Sequence, residues 1–161
     1  MIENTTKAIE KRKEDIPSLM LPLSRRVLLV PTVSVAEIVH YKKPEPINES
    51  PAWLLGQLQW RDLDVPLLSL EILNGEANPG INALTRVAVF NGSSEGDELN
   101  FYAIVTQGTP KLSRITEDDV SICENSELGP YETMAVTVEE EEQRIPDLVA
   151  IERAYLSWLN Q

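Results

Sequence analysis

Apolar and polar residues alternate in short runs through most of this chain, which is the period expected for β-strands. Two such runs, residues 18–23 and 26–30, are separated only by Ser24 and Arg25, so we predict a hairpin. Pro22 lies inside the first run and has no backbone N–H to donate. We therefore expect the first strand to lie at a sheet edge or to contain a bulge.

The central stretch, residues 51–75, combines another hairpin with a short helix. Residues 57–60 alternate as a strand, and residues 65–68 return as the second strand. Arg61 and Asp62 occupy the predicted tip between them. This is the most informative stretch of the sequence.

The remaining runs predict two further hairpins and a C-terminal helix. Residues 85–90 and 99–105 flank a flexible turn, and residues 134–138 precede a turn at residues 139–143. From about Val149, apolar residues recur at spacings of three and four, which predicts a helix. We interpret its apolar stripe as core packing rather than a partner-binding face; the stripe comprises Leu148, Ile151, Tyr155, Trp158 and Leu159.

Many short strands, turns about every 8–12 residues and two short helices are typical of a barrel-like, all-β domain. Residues 1–17 are polar and charged, so we expect a flexible N-terminal tail. Residues 18–161 then form one domain, which is long enough for a hydrophobic core.

The composition is that of an ordinary soluble protein. Hydrophobic residues make up 42% of the chain, and no apolar run approaches the ~20 residues that a membrane-spanning helix needs. The first residues lack the apolar segment of a signal peptide, and a single cysteine, Cys123, leaves no internal disulfide. We therefore expect a cytoplasmic protein without direct membrane insertion.

The net charge of −12 is concentrated in the last part of the chain. Residues 116–161 carry twelve acidic and two basic residues, and residues 139–142 are all glutamates. Such a surface repels a phosphate backbone, so we expect no nucleic-acid partner. The acidic residues form either a solvated face that aids solubility or a docking surface for a basic partner.

Residues suited to catalysis or metal binding are sparse. The single histidine, His40, and Cys123 are too few for a zinc site, and the nucleotide-binding and nucleophile motifs are absent. We expect no cofactor and no metal. One enzymatic alternative is a small carboxylate-dependent enzyme that uses Asp62 and Asp64 for acid–base chemistry. Two residues apart, these side chains share a face on a strand and are only solvated in a turn.

A family resemblance is carried by motifs that follow one another along the chain: Val-Ala-Glu-Ile (35–38), Pro-Ala-Trp-Leu-Leu-Gly (51–56), Trp-Arg (60–61) and Val-Pro-Leu-Leu (65–68). This order resembles the signature of the CheW-like family of chemotaxis adaptors, and the likeness runs over residues 18–159. It implies two small five-stranded, SH3-like β-barrels packed on a shared hydrophobic core, with a C-terminal helix.

The resemblance also implies a non-enzymatic function in signal transduction. Members of this family link the cytoplasmic tips of methyl-accepting chemoreceptors to the regulatory domain of a CheA-type histidine kinase. An adaptor that binds only the kinase, and so competes for its sites, is the alternative within the same family.

The interface with receptor and kinase that the resemblance implies comprises Val35, Glu37, Gly56, Arg61 and Asp62. Arg61 matches the position at which the family presents an arginine to the receptor, and a guanidinium offers a receptor helix five donors in a planar fork. The alternative is a surface ion pair of Arg61 with Asp62 or Asp64. For Glu37 the alternative is a solvated carboxylate, and for Val35 it is a core position.

Gly56 and two tryptophans of the family motifs are also expected to have structural roles. Gly56 supplies a backbone angle that other residues resist. Trp53 and Trp60 are aromatic fillers, which a barrel this small needs in its core.

The sequence departs from the family pattern at several places. Asp62 stands where the family usually has glycine, Ser69 and Thr106 stand where it usually has aspartate, and residues 139–142 replace a glycine-rich approach. We expect these departures to leave the core intact and to change the surface. The chain then looks most similar to the ChpC- or PilI-like adaptors of the chemosensory systems that control type IV pili and twitching motility.

Overall fold

β-Strands are the predominant regular secondary structure among the residues that the structure describes. The computed structural model describes residues 14–93 and 99–161. The strands within these ranges are β1 (Ile16–Pro22), β2 (Val27–Pro31), β3 (Val35–His40), β4 (Leu54–Trp60), β5 (Leu63–Leu68), β6 (Arg86–Asn91), β7 (Phe101–Thr106), β8 (Lys111–Ile115), β9 (Val120–Ile122), β10 (Glu132–Val138) and β11 (Glu141–Pro146).

Within these ranges, α1 (Leu70–Leu73) lies between β5 and β6, and α2 (Leu148–Leu159) follows β11. Short 3-10 helices occupy Thr32–Ser34 and Glu117–Asp119. The predicted tail lies mostly outside the described residues, which begin at residue 14, and β1 already starts at Ile16. Residues 94–98 of the predicted turn also lie outside them.

The two ends of the chain together form a six-stranded sheet, in the order β8-β1-β2-β11-β10-β9. Its neighbouring strands are antiparallel except β2 and β11, which are parallel. The first hairpin of the chain therefore pairs directly with the last one.

The middle of the chain forms a five-stranded sheet, in the order β3-β6-β7-β5-β4. Its outer strands, β3 and β4, are joined by the segment that follows β3. There Glu45 exchanges two backbone hydrogen bonds with Gln57 of β4, at 2.9 and 2.8 Å. This bridge closes the five-stranded unit on itself.

The largest hydrophobic cluster is shared by both sheets. Leu21 and Leu28 enter it from the six-stranded sheet, and Phe90 and Ile104 from the five-stranded one. Ile151 of α2 packs into the same cluster. Each sheet also encloses a smaller cluster of its own. The predicted all-β class, the two β units on a shared core and the C-terminal helix are thus confirmed.

One unit has six strands in the described residues rather than the five expected. The additional strand, β9, has three residues and pairs with β10 through Val120, Ser121 and Ile122. A run this short carries too little alternation to be recognised in the sequence.

The expectation that β1 is an edge strand or contains a bulge because of Pro22 is wrong. β1 lies between β8 and β2, and neither of its registers shifts. Its pairing with β8 ends at Met20, so the missing N–H of Pro22 falls beyond that ladder. The Pro22 carbonyl instead accepts a hydrogen bond from the Gln107 N–H, at 2.8 Å.

Two boundaries near the C-terminus also differ from the prediction. The turn expected at residues 139–143 contains only Glu139 and Glu140, because β11 already begins at Glu141. In α2, Ile151 and Tyr155 are buried as predicted. Leu159 is exposed, since it is the last residue of the helix.

Within the described ranges, no helix is long and apolar enough to cross a membrane. The same ranges contain no group of three or more His, Cys, Asp or Glu side chains that could hold a metal ion.

Candidate functional site

The β4–β5 hairpin ends in a two-residue turn formed by Arg61 and Asp62. Trp60 pairs with Leu63 across the hairpin, and the two turn residues have φ values of +47° and +61°. Both therefore lie in the left-handed region that suits the twist of a β-hairpin. Aspartate tolerates this conformation better than most residues do, so the turn forms without the family's glycine.

The Arg61 side chain is held against the protein although 64% of it is exposed. Its guanidinium lies over the Trp60 ring, 4.6 Å from the centroid. Its Nη2 donates to Oε1 of Glu37 at 3.0 Å. The alternative of a surface ion pair with Asp62 or Asp64 is thus wrong in its partner, because Glu37 on β3 provides the carboxylate.

Glu37 is the centre of this arrangement. Its Oε1 accepts one hydrogen bond from Arg61 and a second from Nε1 of Trp60, also at 3.0 Å. Trp60 is buried and stands edge-on to Phe101, with ring centroids 4.8 Å apart. The carboxylate therefore anchors an exposed cation to a buried ring and joins the outer strand β3 to the hairpin tip.

Gly56 lies inside β4, at a shift in its register with β5, and is buried. Its φ is +146°, and an added Cβ would overlap the carbonyl oxygen of Glu45. The predicted need for a special backbone angle is confirmed. Glycine here permits the bridge between Glu45 and Gln57, so Gly56 positions the hairpin rather than presenting a side chain.

Val35 begins β3 and packs partly buried against the shared core. A register shift between Val35 and Glu37 interrupts the alternation of β3. As a result Ala36 packs against the interior of the five-stranded unit, whereas Val35 faces the shared core. Of the predicted interface residues, the structure brings Glu37 and Arg61 into contact, with Asp62 beside Arg61 in the turn. Val35 packs against the shared core, and Gly56 is buried within β4.

Two residues of the site were not predicted as part of it. Trp60 was interpreted only as core, yet it also supports the guanidinium; its adjacency to Arg61 was the available signal. Leu63, the first residue after the turn, is 46% exposed and adds apolar surface beside the tip. Asp62 and Asp64, the pair considered for acid–base catalysis, are both exposed.

Two of the departures from the family pattern do not alter the surface, contrary to expectation. Ser69 and Thr106 are buried. The Ser69 hydroxyl accepts from the Ile72 N–H at 3.3 Å and caps α1, while the Thr106 hydroxyl donates to the Gly108 carbonyl at 3.1 Å. Since both side chains satisfy local backbone groups, the surface changes are confined to Asp62 and residues 139–142.

Comparisons with known proteins agree with this fold. A family model described as CheW-like domain matches residues 17–151. Comparison with curated protein sequences gives no significant match. The crystal structure of scaffolding protein TtCheW from Thermoanaerobacter tengcongensis is similar, with a TM-score of 0.70 and 12% identity, over 83% of this chain and 89% of that one. The chain therefore belongs to the CheW-like domain family.

Proposed function

We propose that this protein is a non-enzymatic chemosensory adaptor that couples methyl-accepting chemoreceptors to a CheA-type histidine kinase in the cytoplasm. Membership of the CheW-like family supports the adaptor role. The observation that carries the receptor contact is the Glu37–Trp60–Arg61 arrangement, which holds a cation in a fixed position at a hairpin tip.

The chemistry of this tip fits a receptor helix. The Glu37 contact uses Nη2 of Arg61, so other guanidinium donors face outward to carboxylates or helix-end carbonyls of the partner. Stacking on Trp60 reduces the rotamer freedom that Arg61 would lose on binding. Leu63 supplies apolar area beside these polar contacts, which is the usual composition of a specific interface.

The proposal assigns different roles to the interface residues. Arg61 and Asp62 contact the receptor, and Glu37 sets the position of Arg61. Gly56 and Val35 maintain the backbone on which the tip rests. The kinase regulatory domain binds a different part of the surface, so that one adaptor holds both partners; an adaptor of the kinase alone would lack the receptor contact.

The departures from the family pattern support an adaptor of a specialised array, such as one that serves type IV pili and twitching motility. Since Ser69 and Thr106 are buried, this assignment depends on the surface residue Asp62 and on the acidic residues 139–142. Cells without the protein should lose twitching while flagellar swimming continues. The opposite result would place the adaptor in the flagellar array.

The coupling role is tested by titrating the protein with a receptor-tip fragment and, separately, with the kinase regulatory domain. Arg61→Glu should abolish receptor binding and leave kinase binding unchanged. Arg114→Glu is a matched control, because Arg114 is also about two-thirds exposed, at 69%, and forms one ion pair, with Asp15. Wild-type binding to neither partner, or equal losses in the two variants, would contradict the proposal.

A further inference from the structure

A groove of about 510 Å³ lies at one end of the six-stranded sheet, which does not include the hairpin of Arg61. It is formed where β1 begins, β8 ends and β9 begins. Its lining comprises Glu14, Ile16, Ile115, Thr116, Glu117 and Val120.

The floor of the groove is aliphatic. Ile16 is 57% exposed although it is the first residue of a sheet strand and pairs with Ile115. Val120 is half-buried beside it. Ile115 is only 7% exposed, so Ile16 and Val120 supply most of the apolar surface, which gains free energy when an apolar side chain covers it.

The rim of the groove is acidic. Glu14 and Glu117 form no ion pair or hydrogen bond within the part of the chain that the structure describes. Their neighbour Thr116 differs, because its N–H and its hydroxyl both donate to the Asp119 carboxylate at 2.8 Å. No cation within the described ranges is therefore paired with the two glutamates.

The strands that border the groove can also accept a further backbone. β8 and β9 are the outer strands of the six-stranded sheet as described, so each forms a ladder on one side only. An extended peptide can add hydrogen bonds to such an edge, while alternate side chains enter pockets beside it.

We propose that this groove binds an extended cationic segment of a partner protein. A branched aliphatic side chain of that segment packs on Ile16, Ile115 and Val120, and flanking lysine or arginine side chains pair with Glu14 and Glu117. The charge supports this occupant, since the two ionisable side chains that line the groove are both glutamates and the chain has a net charge of −12. The inference does not depend on the receptor-coupling function.

The test is a titration of the full chain into a fluorescein-labelled peptide, Lys-Lys-Ile-Lys-Val-Lys-Lys, followed by fluorescence anisotropy. Glu117→Lys should weaken binding roughly fivefold or more, because it replaces an ion pair with a repulsion. Glu124→Lys is the matched control. Glu124 is also exposed but does not line the groove, and its substitution changes the net charge by the same amount. Thermal melts of both variants verify that they are folded.

The apolar part of the proposal is tested by a Lys-Lys-Ser-Lys-Ser-Lys-Lys peptide and by Ile16→Thr, each of which should also weaken binding. Equal binding of the two peptides, or equal losses in Glu117→Lys and Glu124→Lys, would show non-specific charge attraction and overturn the proposal. Absence of binding would overturn it as well. Peptide binding that appears only after Lys11, Arg12 and Lys13 are changed to Gln would also overturn the proposal. That result would mean that the wild-type chain's own cations occupy the groove.

Discussion

Two hairpin tips, one in each β unit, have nearly the same backbone and opposite surroundings. Arg61 and Asp62 turn the β4–β5 hairpin with φ values of +47° and +61°, and Glu139 and Glu140 turn the β10–β11 hairpin with +52° and +67°. Each turn has two residues and is closed by a pair of strand residues. The backbone alone therefore does not distinguish the two tips.

The difference lies in what supports the side chains at each tip. Arg61 rests on the buried ring of Trp60 and is held by Glu37. Among the residues that the structure describes, Glu139 forms one ion pair, of 3.6 Å with Lys111, in which both side chains are largely exposed. A buried ring restricts a side chain far more than a solvated partner does. This difference supports the proposal that the Arg61 tip, whose side chain packs on a buried ring, is the receptor-binding one.

The largest expected effect comes from breaking the support of the Arg61 tip at Gly56. Gly56→Ala should lower the free energy of unfolding by about 3 kcal/mol, since the new Cβ overlaps Glu45 and the residue keeps a strained φ. Gly80→Ala is the control, because Gly80 also has a positive φ but its Cβ would meet open space. Denaturant unfolding should show that Gly80→Ala loses only about 1 kcal/mol of stability. Equal losses in the two variants would mean that the strained φ, rather than the overlap with Glu45, causes the destabilisation.

A smaller effect is expected when the anchors themselves are removed. Glu37→Ala takes the acceptor from the buried Trp60 N–H and should cost about 1–2 kcal/mol of stability. Lys111→Ala at the acidic tip should change the stability by less than about 0.5 kcal/mol. Thermal unfolding of the two variants compares the tips directly. A larger loss of stability for Lys111→Ala than for Glu37→Ala would contradict the claim that the Arg61 tip is the more firmly anchored one.

The junction between the two units provides a pH-dependent test. Glu71 of α1 is buried and accepts the Ser24 N–H of the first hairpin at 3.1 Å. Burial raises the pKa of Glu71, and nearby Glu76 raises it further. The folded state therefore holds the proton more tightly, and stability falls as pH rises from the ordinary carboxyl pKa through the folded one.

Glu71→Gln should remove this pH-dependent loss while keeping an acceptor for Ser24. Urea unfolding at several pH values should show that the free energy of unfolding of Glu71→Gln, relative to that of the wild type, increases as pH rises. A constant difference between the two proteins across pH would mean that Glu71 does not titrate in this window. Both tips should be unaffected, because neither contacts Glu71.

The smallest expected effects sharpen the comparison of the turns. Glu140→Gly should raise the free energy of unfolding by about 0.5–1 kcal/mol, because glycine adopts a positive φ without strain. Asp62→Gly should raise it by less, since aspartate already tolerates this conformation. Thermal melts resolve the order of the two gains, and a loss in either variant would show that its side chain has a stabilising contact.

Local sequence patterns predicted the hairpin of Arg61 and the strands around it. They did not predict the contact between Glu37 and Arg61, which are 24 residues apart. Glu37 lies on β3 and Arg61 in the β4–β5 turn, and β3 is a ladder neighbour of neither β4 nor β5. The register shift after Val35 also has no signal in the alternation, and it decides which β3 residues face the tip. Burial of Ser69 was missed for a similar reason, because a polar side chain that caps a helix resembles a surface residue in sequence.

The central claim is tested most directly by reversing one charge at each tip and measuring the affinity for a receptor-tip fragment. Arg61→Glu and Glu140→Lys alter turns of nearly the same geometry, so backbone effects are matched. We expect Arg61→Glu to abolish binding and Glu140→Lys to leave the dissociation constant unchanged. Equal losses, or a loss confined to Glu140→Lys, would contradict the claim that the anchored tip is the receptor-binding site.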